Sequence, residues 1–198
     1  ENLINVATAR ATTARNVANK FGFDGCTGNA DEVINDDKIN TVFIATPHHL
    51  HANYVIKALQ ANKNVFVEKP LSLTKEELEA IKIAESNSDA QVMVGFNRRF
   101  APQVVALKAE LNENLPKAIN YRINAGKLPA DHWTQDPKVG GGRIIGEACH
   151  FIDLCAFIAD SPITKVEANA LKAANNLLDT VSVSLAFENG SFANISYF

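Results

Sequence analysis

Two places in the chain put groups that can hold or move a proton where the backbone must change direction. The first is Val65-Phe66-Val67-Glu68-Lys69-Pro70, in which three strand-forming apolar residues run into an acid, a base and a proline. Proline has no amide hydrogen and biases the residue before it away from helical dihedrals, so the strand must end there with Lys69 at its tip. In an open parallel sheet, ligands sit beyond the carboxyl ends of the strands, which makes Lys69 a candidate for chemistry. A surface ion pair at a loop is the plainer alternative. The second place is Gly140-Gly141-Gly142 with Glu147, His150 and Asp153 behind it. His150 opens an apolar helix with Asp153 one turn on, so both side chains can share a helix face, and an imidazole there can share or relay a proton. The alternative is a core histidine bonded to backbone.

Other groups are less specific. His48, His49 and His51 follow an apolar strand, but adjacent histidines in an extended loop point apart and no second cluster accompanies them, so no metal site is expected. Arg98 and Arg99 have the forked donors that suit a phosphate or carboxylate, and a structural bridge is the competing role for at least one of them. Trp133, beside Asp131 and His132, is either a sugar-stacking platform or a lid anchor. The triple glycine reads as a flexible bend and not as a dinucleotide loop, since no buried strand precedes it and its spacing is wrong.

The elements that must position these residues follow from periodicity. A strand at Leu3 to Ala7, a helix from Thr12 to Phe21 capped by Thr12 or Thr13 and stopped by Gly22, and a short acid-capped helix from Asp31 to Asn35 open the chain. Thr41 to Ala45 is a continuous apolar run, as expected of a strand buried on both faces. Thr46-Pro47 breaks it, His51 to Ala61 carries helical spacing, and the Lys69 strand follows. Thr74 with Glu77 predicts a capping box on a helix ending near Asn87, and Gln91 to Gly95 is one more strand. Strands alternating with helices imply a doubly wound parallel sheet over residues 1–100.

Over residues 101–198 the pattern changes. After a helix from Pro102 to Leu111, strand segments dominate at Ile119 to Ala125, Lys165 to Leu171, Thr180 to Phe187 and Ser191 to Phe198. Asn189-Gly190 marks a hairpin, and Ile145 to Ala159 is the one long apolar helix. The expected fold class is thus α/β plus α+β, a partial Rossmann-type sheet followed by a mainly antiparallel sheet domain with helical cover. Its 198 residues are 46% hydrophobic, ample for a core, and a net charge of -3 with no basic run argues against nucleic acid or an anionic membrane as partner. The three cysteines lack metal or disulfide spacing, which suits reduced thiols and a cytoplasmic address.

Ala45-Thr46-Pro47-His48-His49-Leu50-His51, Glu68-Lys69-Pro70, Gly95-Phe96-Asn97-Arg98-Arg99-Phe100, and Gly140-Gly141-Gly142 leading to His150-Phe151-Ile152-Asp153-Leu154 occur in that order. In this the chain resembles the Gfo/Idh/MocA family of NAD(P)-dependent sugar and polyol oxidoreductases. The run Gly142 to His150 is similar to a branch of two-part proteins whose other part resembles a zinc-type alcohol dehydrogenase. The resemblance implies a hydride transfer between NAD or NADP and a hydroxyl-bearing carbon, with Lys69 and His150 catalytic. It implies cofactor contacts from Thr8, Arg10, Thr46, Pro47, His48, His51, Glu68, Lys69 and Asn97, and substrate contacts from Lys69, Arg98, Trp133, Glu147 and His150. A lysine serving as base there requires a desolvated site. A homo-oligomer through the second-domain sheet is expected.

Three departures from the family pattern matter. The chain is expected to begin at the family's second strand, without the glycine-rich turn that holds the pyrophosphate, and to stop before the later strands of the second sheet. Thr8 stands where many members carry an acid for the adenosine ribose, which with Arg10 close behind opens the way to NADP. Gly146 stands where an aspartate often precedes the histidine by four residues. This last change keeps two rivals alive: a binding module with little catalysis, and a mainly structural part of a larger enzyme.

Overall fold

The computed structural model describes residues 2–112, 115–171 and 180–198. The chain separates into two compact units. One comprises Glu1–Thr46, Leu50–Val67 and Thr74–Val94, and the other Pro47–His49, Glu68–Leu73 and Gly95–Phe198. The loops after two strands of the first unit, those of Pro47 and Lys69, therefore pack as part of the second.

In the first unit β1 (Asn5–Ala7) pairs with β2 (Gly25–Thr27), and β3 (Thr41–Ile44), β4 (Asn64–Val67) and β5 (Val92–Val94) form a second run, all parallel. Parallel neighbours need crossovers, and α1 (Ala11–Phe21), α2 (Ala30–Ile34), α3 (His51–Gln60) and α4 (Lys75–Ser86) occupy the intervals between strands. Val42, Ile44, Val65 and Val67 are buried, as are Val55, Ala58 and Leu59 of α3. Each large side chain so buried contributes about 1.5–3 kcal/mol relative to exposure. The capping box forms as expected, Thr74 accepting from the Glu77 amide and Glu77 from the Thr74 amide.

Several expectations for this unit are corrected. The β3 strand is not buried on both faces: Phe43 is 73% exposed. Successive strand residues face opposite ways, and the described elements cover the side of Val42 and Ile44 while leaving that of Phe43 open. Helix α1 is capped not by Thr12 or Thr13 but by Arg10, whose extended φ of -130° defines the boundary without a side-chain cap bond. For α2 the cap is Asn29, which accepts from the Asp31 amide, so the acids lie inside the first turn. Strand β2 has no signature in the sequence, because Gly25-Cys26-Thr27 is too short for a period and is held by backbone bonds to the β1 segment.

The second unit is a four-stranded sheet in the order β6-β9-β8-β7. β8 (Val181–Phe187) runs antiparallel to β7 (Ile163–Ala170) and to β9 (Phe192–Tyr197), whereas β6 (Ala118–Ile123) joins β9 in parallel. Gly190, with φ +84°, turns the β8–β9 hairpin. Alternation sends Val183, Leu185, Ile195 and Tyr197 inward with Phe151 and Cys155 of α6 (Cys149–Ala159) in one core. Exposed Ser184 and Asn194 bond across the other face. A further helix, α5 (Pro102–Glu110), lies ahead of β6. The helix expected from Ile145 is α-helical only from Cys149; Ile144–Ala148 forms a π turn, the wider winding that recurs at functional sites.

Candidate active site

The π turn organises the site. Lys69, half-buried just past β4, donates from Nζ to the carbonyl of Gly146 at 2.8 Å. That carbonyl lies four residues before His150. His150 is 7% exposed, and its pKa is lowered to about 4, first by burial and then by the positive charges of Lys69 and Arg98; the weaker pull of Asp153 and Glu147 opposes them. The imidazole is consequently neutral at neutral pH. Its Nδ1 is buried without a hydrogen-bond partner among the described residues. The two residues singled out for proton chemistry are thus brought close enough for the charge of one to act on the other.

Asp153 does not serve His150. Both oxygens of its carboxylate accept from Arg99, Nε to Oδ2 at 2.7 Å and Nη2 to Oδ1. That assigns Arg99 the structural role of the arginine pair, while the Arg98 guanidinium lies 4.8 Å from the centre of the Phe151 ring.

The glycines explain how the turn is held. A Cβ on Gly140 would lie 2.3 Å from Thr134 Cα, so the run is a close backbone contact and not the flexible bend expected. Gly141 and Gly142 take φ of +78° and +80°, which side-chain-bearing residues rarely adopt. The Gly140 carbonyl accepts from Nδ1 of buried His48 at 2.8 Å, and the His48 ring meets Trp133 edge-on at 4.7 Å. A Cβ on Gly146 would come within 3.0 Å of the His48 ring, so this histidine leaves little room for an acid there. Gly140→Ala should cost about 1–3 kcal/mol through backbone overlap, read as a lower urea midpoint. An unchanged midpoint would contradict this packing.

His48, Lys69, Trp133, Arg143 and Glu147 line a cavity of about 250 Å³ in the second unit, together with the loop of Leu128 and His132. A larger hollow of about 360 Å³ lies among Asn62 and Ser86 to Asp89, at the starting ends of β4 and β5. Ligands of parallel sheets bind at the opposite ends, so the smaller cavity is the candidate. The remaining expected positions are dispersed. Thr8, its hydroxyl on the Arg10 carbonyl at 2.8 Å, exposed Arg10, Thr46 and His51 belong to the first unit; Pro47, Glu68 and Asn97 belong to the second. His51 is fully buried and donates from Nε2 to the Thr46 carbonyl at 2.8 Å, so it shapes that loop from within.

Arg143 and Tyr197 escaped sequence reasoning. Arg143 precedes Glu147 by four residues, a spacing that could have announced their ion pair. Tyr197 looks like any inward residue of an alternating strand.

Comparison with known proteins agrees with this architecture. Residues 1–96 match the family model described as oxidoreductase family, NAD-binding Rossmann fold, and residues 105–198 match the GFO/IDH/MocA C-terminal domain. Levoglucosan dehydrogenase of Pseudarthrobacter phenanthrenivorans is 33% identical over 164 residues, 77% of this chain and 41% of that protein. Inositol 2-dehydrogenase of Rhizobium meliloti is 29% identical over 98% of this chain and 60% of its own length. A solved levoglucosan dehydrogenase in complex with NADH and levoglucosan superimposes with a TM-score of 0.85 at 28% identity, over 98% of this chain and 57% of that one. The chain spans about half the length of the curated relatives it matches. With two successive family models covering nearly all of its residues, the chain belongs to the Gfo/Idh/MocA oxidoreductase family.

Proposed function

We propose that the protein is an NAD(P)-dependent dehydrogenase that oxidises a CH–OH group of a sugar, nucleotide-sugar or polyol. The observation that carries this reading is a lysine that lines the cavity and lies close enough to a neutral, buried imidazole for its charge to act on that ring. Oxidation of an alcohol releases a hydride from carbon and a proton from oxygen. The nicotinamide supplies the hydride acceptor when bound, and residues of the chain handle the proton. Lys69 donates a hydrogen bond to the reacting oxygen and stabilises its developing negative charge, and His150, neutral, accepts or relays the proton. Trp133 offers an apolar ring face to a sugar, Glu147 accepts from a hydroxyl, and Arg98 adds positive charge near His150.

Thr8, Arg10, Thr46, Pro47, His48, His51, Glu68, Lys69 and Asn97 are proposed to contact the dinucleotide, over a domain of residues 1–100. The segment fits such a group: Arg10 is exposed at the start of α1, and no acid stands in the first turn of that helix. Both features favour a phosphate and leave NADP open beside NAD. The test is nicotinamide reduction by the intact protein at saturating levoglucosan or inositol. Arg10→Ala should weaken NADP binding about tenfold and leave NAD within twofold, measured by fluorescence titration; equal effects on both would remove Arg10 from the phosphate site.

A weakly catalytic binding module is the second reading, favoured by the loss of Asp153 to Arg99. Binding of dinucleotide without turnover of any polyol would establish it. Residues 101–198 are proposed to carry substrate contacts and a homo-oligomer interface on the open sheet face, where Ser184 and Asn194 lie. Sedimentation as a monomer would count against that interface. Cys26, Cys149 and Cys155 are free thiols, which suits the cytoplasm; a disulfide among them in protein isolated from cells would not.

A further inference from the structure

One wall of the cavity is a charged cluster built on Arg143, Glu147 and Tyr197. Arg143, 4% exposed, spends its fork on two partners: Nη1 donates to the Gly126 carbonyl at 2.5 Å, while Nε and Nη2 donate to Glu147 Oε2 at 3.4 and 3.2 Å. The hydroxyl of fully buried Tyr197 donates to the same Oε2, and the Arg143 guanidinium lies 5.1 Å from the centre of the Tyr197 ring. Burial and the Glu147 charge together hold the Tyr197 phenol well above its ordinary pKa, so it remains a donor. One carboxylate oxygen is therefore ringed by donors. The other, Oε1, has no partner among the described residues, and the Glu147 side chain is 36% exposed where it lines the cavity.

We infer that Glu147 is the specificity-determining residue that reads a hydroxyl donor on the ligand through Oε1, with Arg143 and Tyr197 as positioning residues that hold it in place. This rests on the dehydrogenase reading above and names what the cavity demands of its substrate. An ionised carboxylate only accepts hydrogen bonds, so the matching ligand atom must carry a hydrogen. A ligand lacking that hydroxyl, or carrying an ether there, leaves the charged oxygen unpaired in a confined site, and sites built around a hydroxyl discriminate strongly against such analogues. Holding Oε2 from the rear limits the directions in which the carboxylate can turn, so selection falls on one ligand position.

The cluster also predicts what the mildest substitution does. In Glu147→Gln the place ringed by Arg143 and Tyr197 must receive the amide oxygen, because an NH2 group there would face the two guanidinium donors of Arg143. The NH2 then occupies the place of Oε1, and an acceptor becomes a donor.

The test uses the intact protein with levoglucosan and myo-inositol, and the complete set of monodeoxy derivatives of whichever is oxidised. In wild type one deoxy position should lower kcat/KM by about 10²-fold. In Glu147→Gln that penalty should fall at least threefold, because the hydroxyl exchanges a charged acceptor for a neutral amide donor. Tyr197→Phe keeps the buried ring and frees the carboxylate, so KM for the parent should rise about fivefold with kcat within twofold, and the deoxy penalty should shrink at least threefold. A purely structural role would weaken all the sugars alike. The same deoxy penalty in wild type and both variants overturns the inference while leaving the dehydrogenase reading intact. Should Glu147→Gln fail to fold, Tyr197→Phe decides the matter by itself. If wild type neither oxidises nor, by calorimetry, binds any polyol, the dehydrogenase reading falls and takes this inference with it.

Discussion

Lys69→Met lowers kcat for polyol oxidation by about 10³-fold, with dinucleotide affinity changed less than threefold. Methionine keeps the length and the apolar stem of lysine, so the packing past β4 survives and the loss reports the ammonium alone. Two effects combine. The reacting oxygen loses its charged donor, and the Gly146 carbonyl loses the Nζ that it accepts from at 2.8 Å. Arginine is not a milder substitute, because its planar fork cannot reproduce a single compact donor. Steady-state kinetics and thermal melts of both proteins decide the point; turnover within threefold of wild type at unchanged stability would end the role of Lys69. The same variant makes a second observable change. The Lys69 charge is among the forces that depress the His150 pKa, so removing it should raise that pKa, visible in the imidazole proton shifts.

How much of this was legible beforehand depends on the range of the interactions. Strands β3 and β4, the capping box and the Asn189-Gly190 hairpin are local events, written in a few adjacent residues, and each forms where its pattern stands. Lys69 could be placed at a strand tip because proline acts on its immediate neighbour. The failures are all non-local or geometric. Asp153 shares a helix with His150, but only the folded chain shows that Arg99, more than fifty residues earlier, takes both its oxygens. From the sequence alone, the absence of an acid at position 146 puts the proton relay in doubt. The folded chain gives a steric reason instead, since the His48 ring leaves little room for a side chain and the bare carbonyl engages Lys69. A π turn has no sequence period distinct from the α-helix that follows it, so periodicity alone runs the two together. Tyr197 is a core residue by pattern and a polar anchor by contact.

His150 should leave its mark on stability and on rate at different pH values. Its folded pKa is about 4 against an ordinary imidazole value of 6.5, so between those limits the unfolded chain binds a proton that the folded chain refuses. Folding stability from this group is complete above pH 6.5, declines as the pH falls toward 4 by up to about 1.4 kcal/mol per pH unit, and changes no further below that. Since other groups also bear on stability, the quantity to measure is the difference between wild type and His150→Gln in urea unfolding at a series of pH values. That difference should slope between pH 6.5 and 4 and be flat from 7 to 8. In the rate, His150→Gln removes the proton acceptor, and kcat should fall about 10²-fold. In wild type the acid limb of kcat/KM that belongs to His150 should lie near pH 4, because burial, then Lys69 and Arg98, outweigh the opposing pull of Asp153 and Glu147, and Asp153 is already engaged by Arg99. A limb at pH 6.5 that vanishes in His150→Gln would mean that the imidazole is neither desolvated nor under the influence of Lys69. The two could not then act together as acid and base. With Lys69→Met the limb should move upward, toward the value of a free imidazole, which ties the two residues together in one measurement.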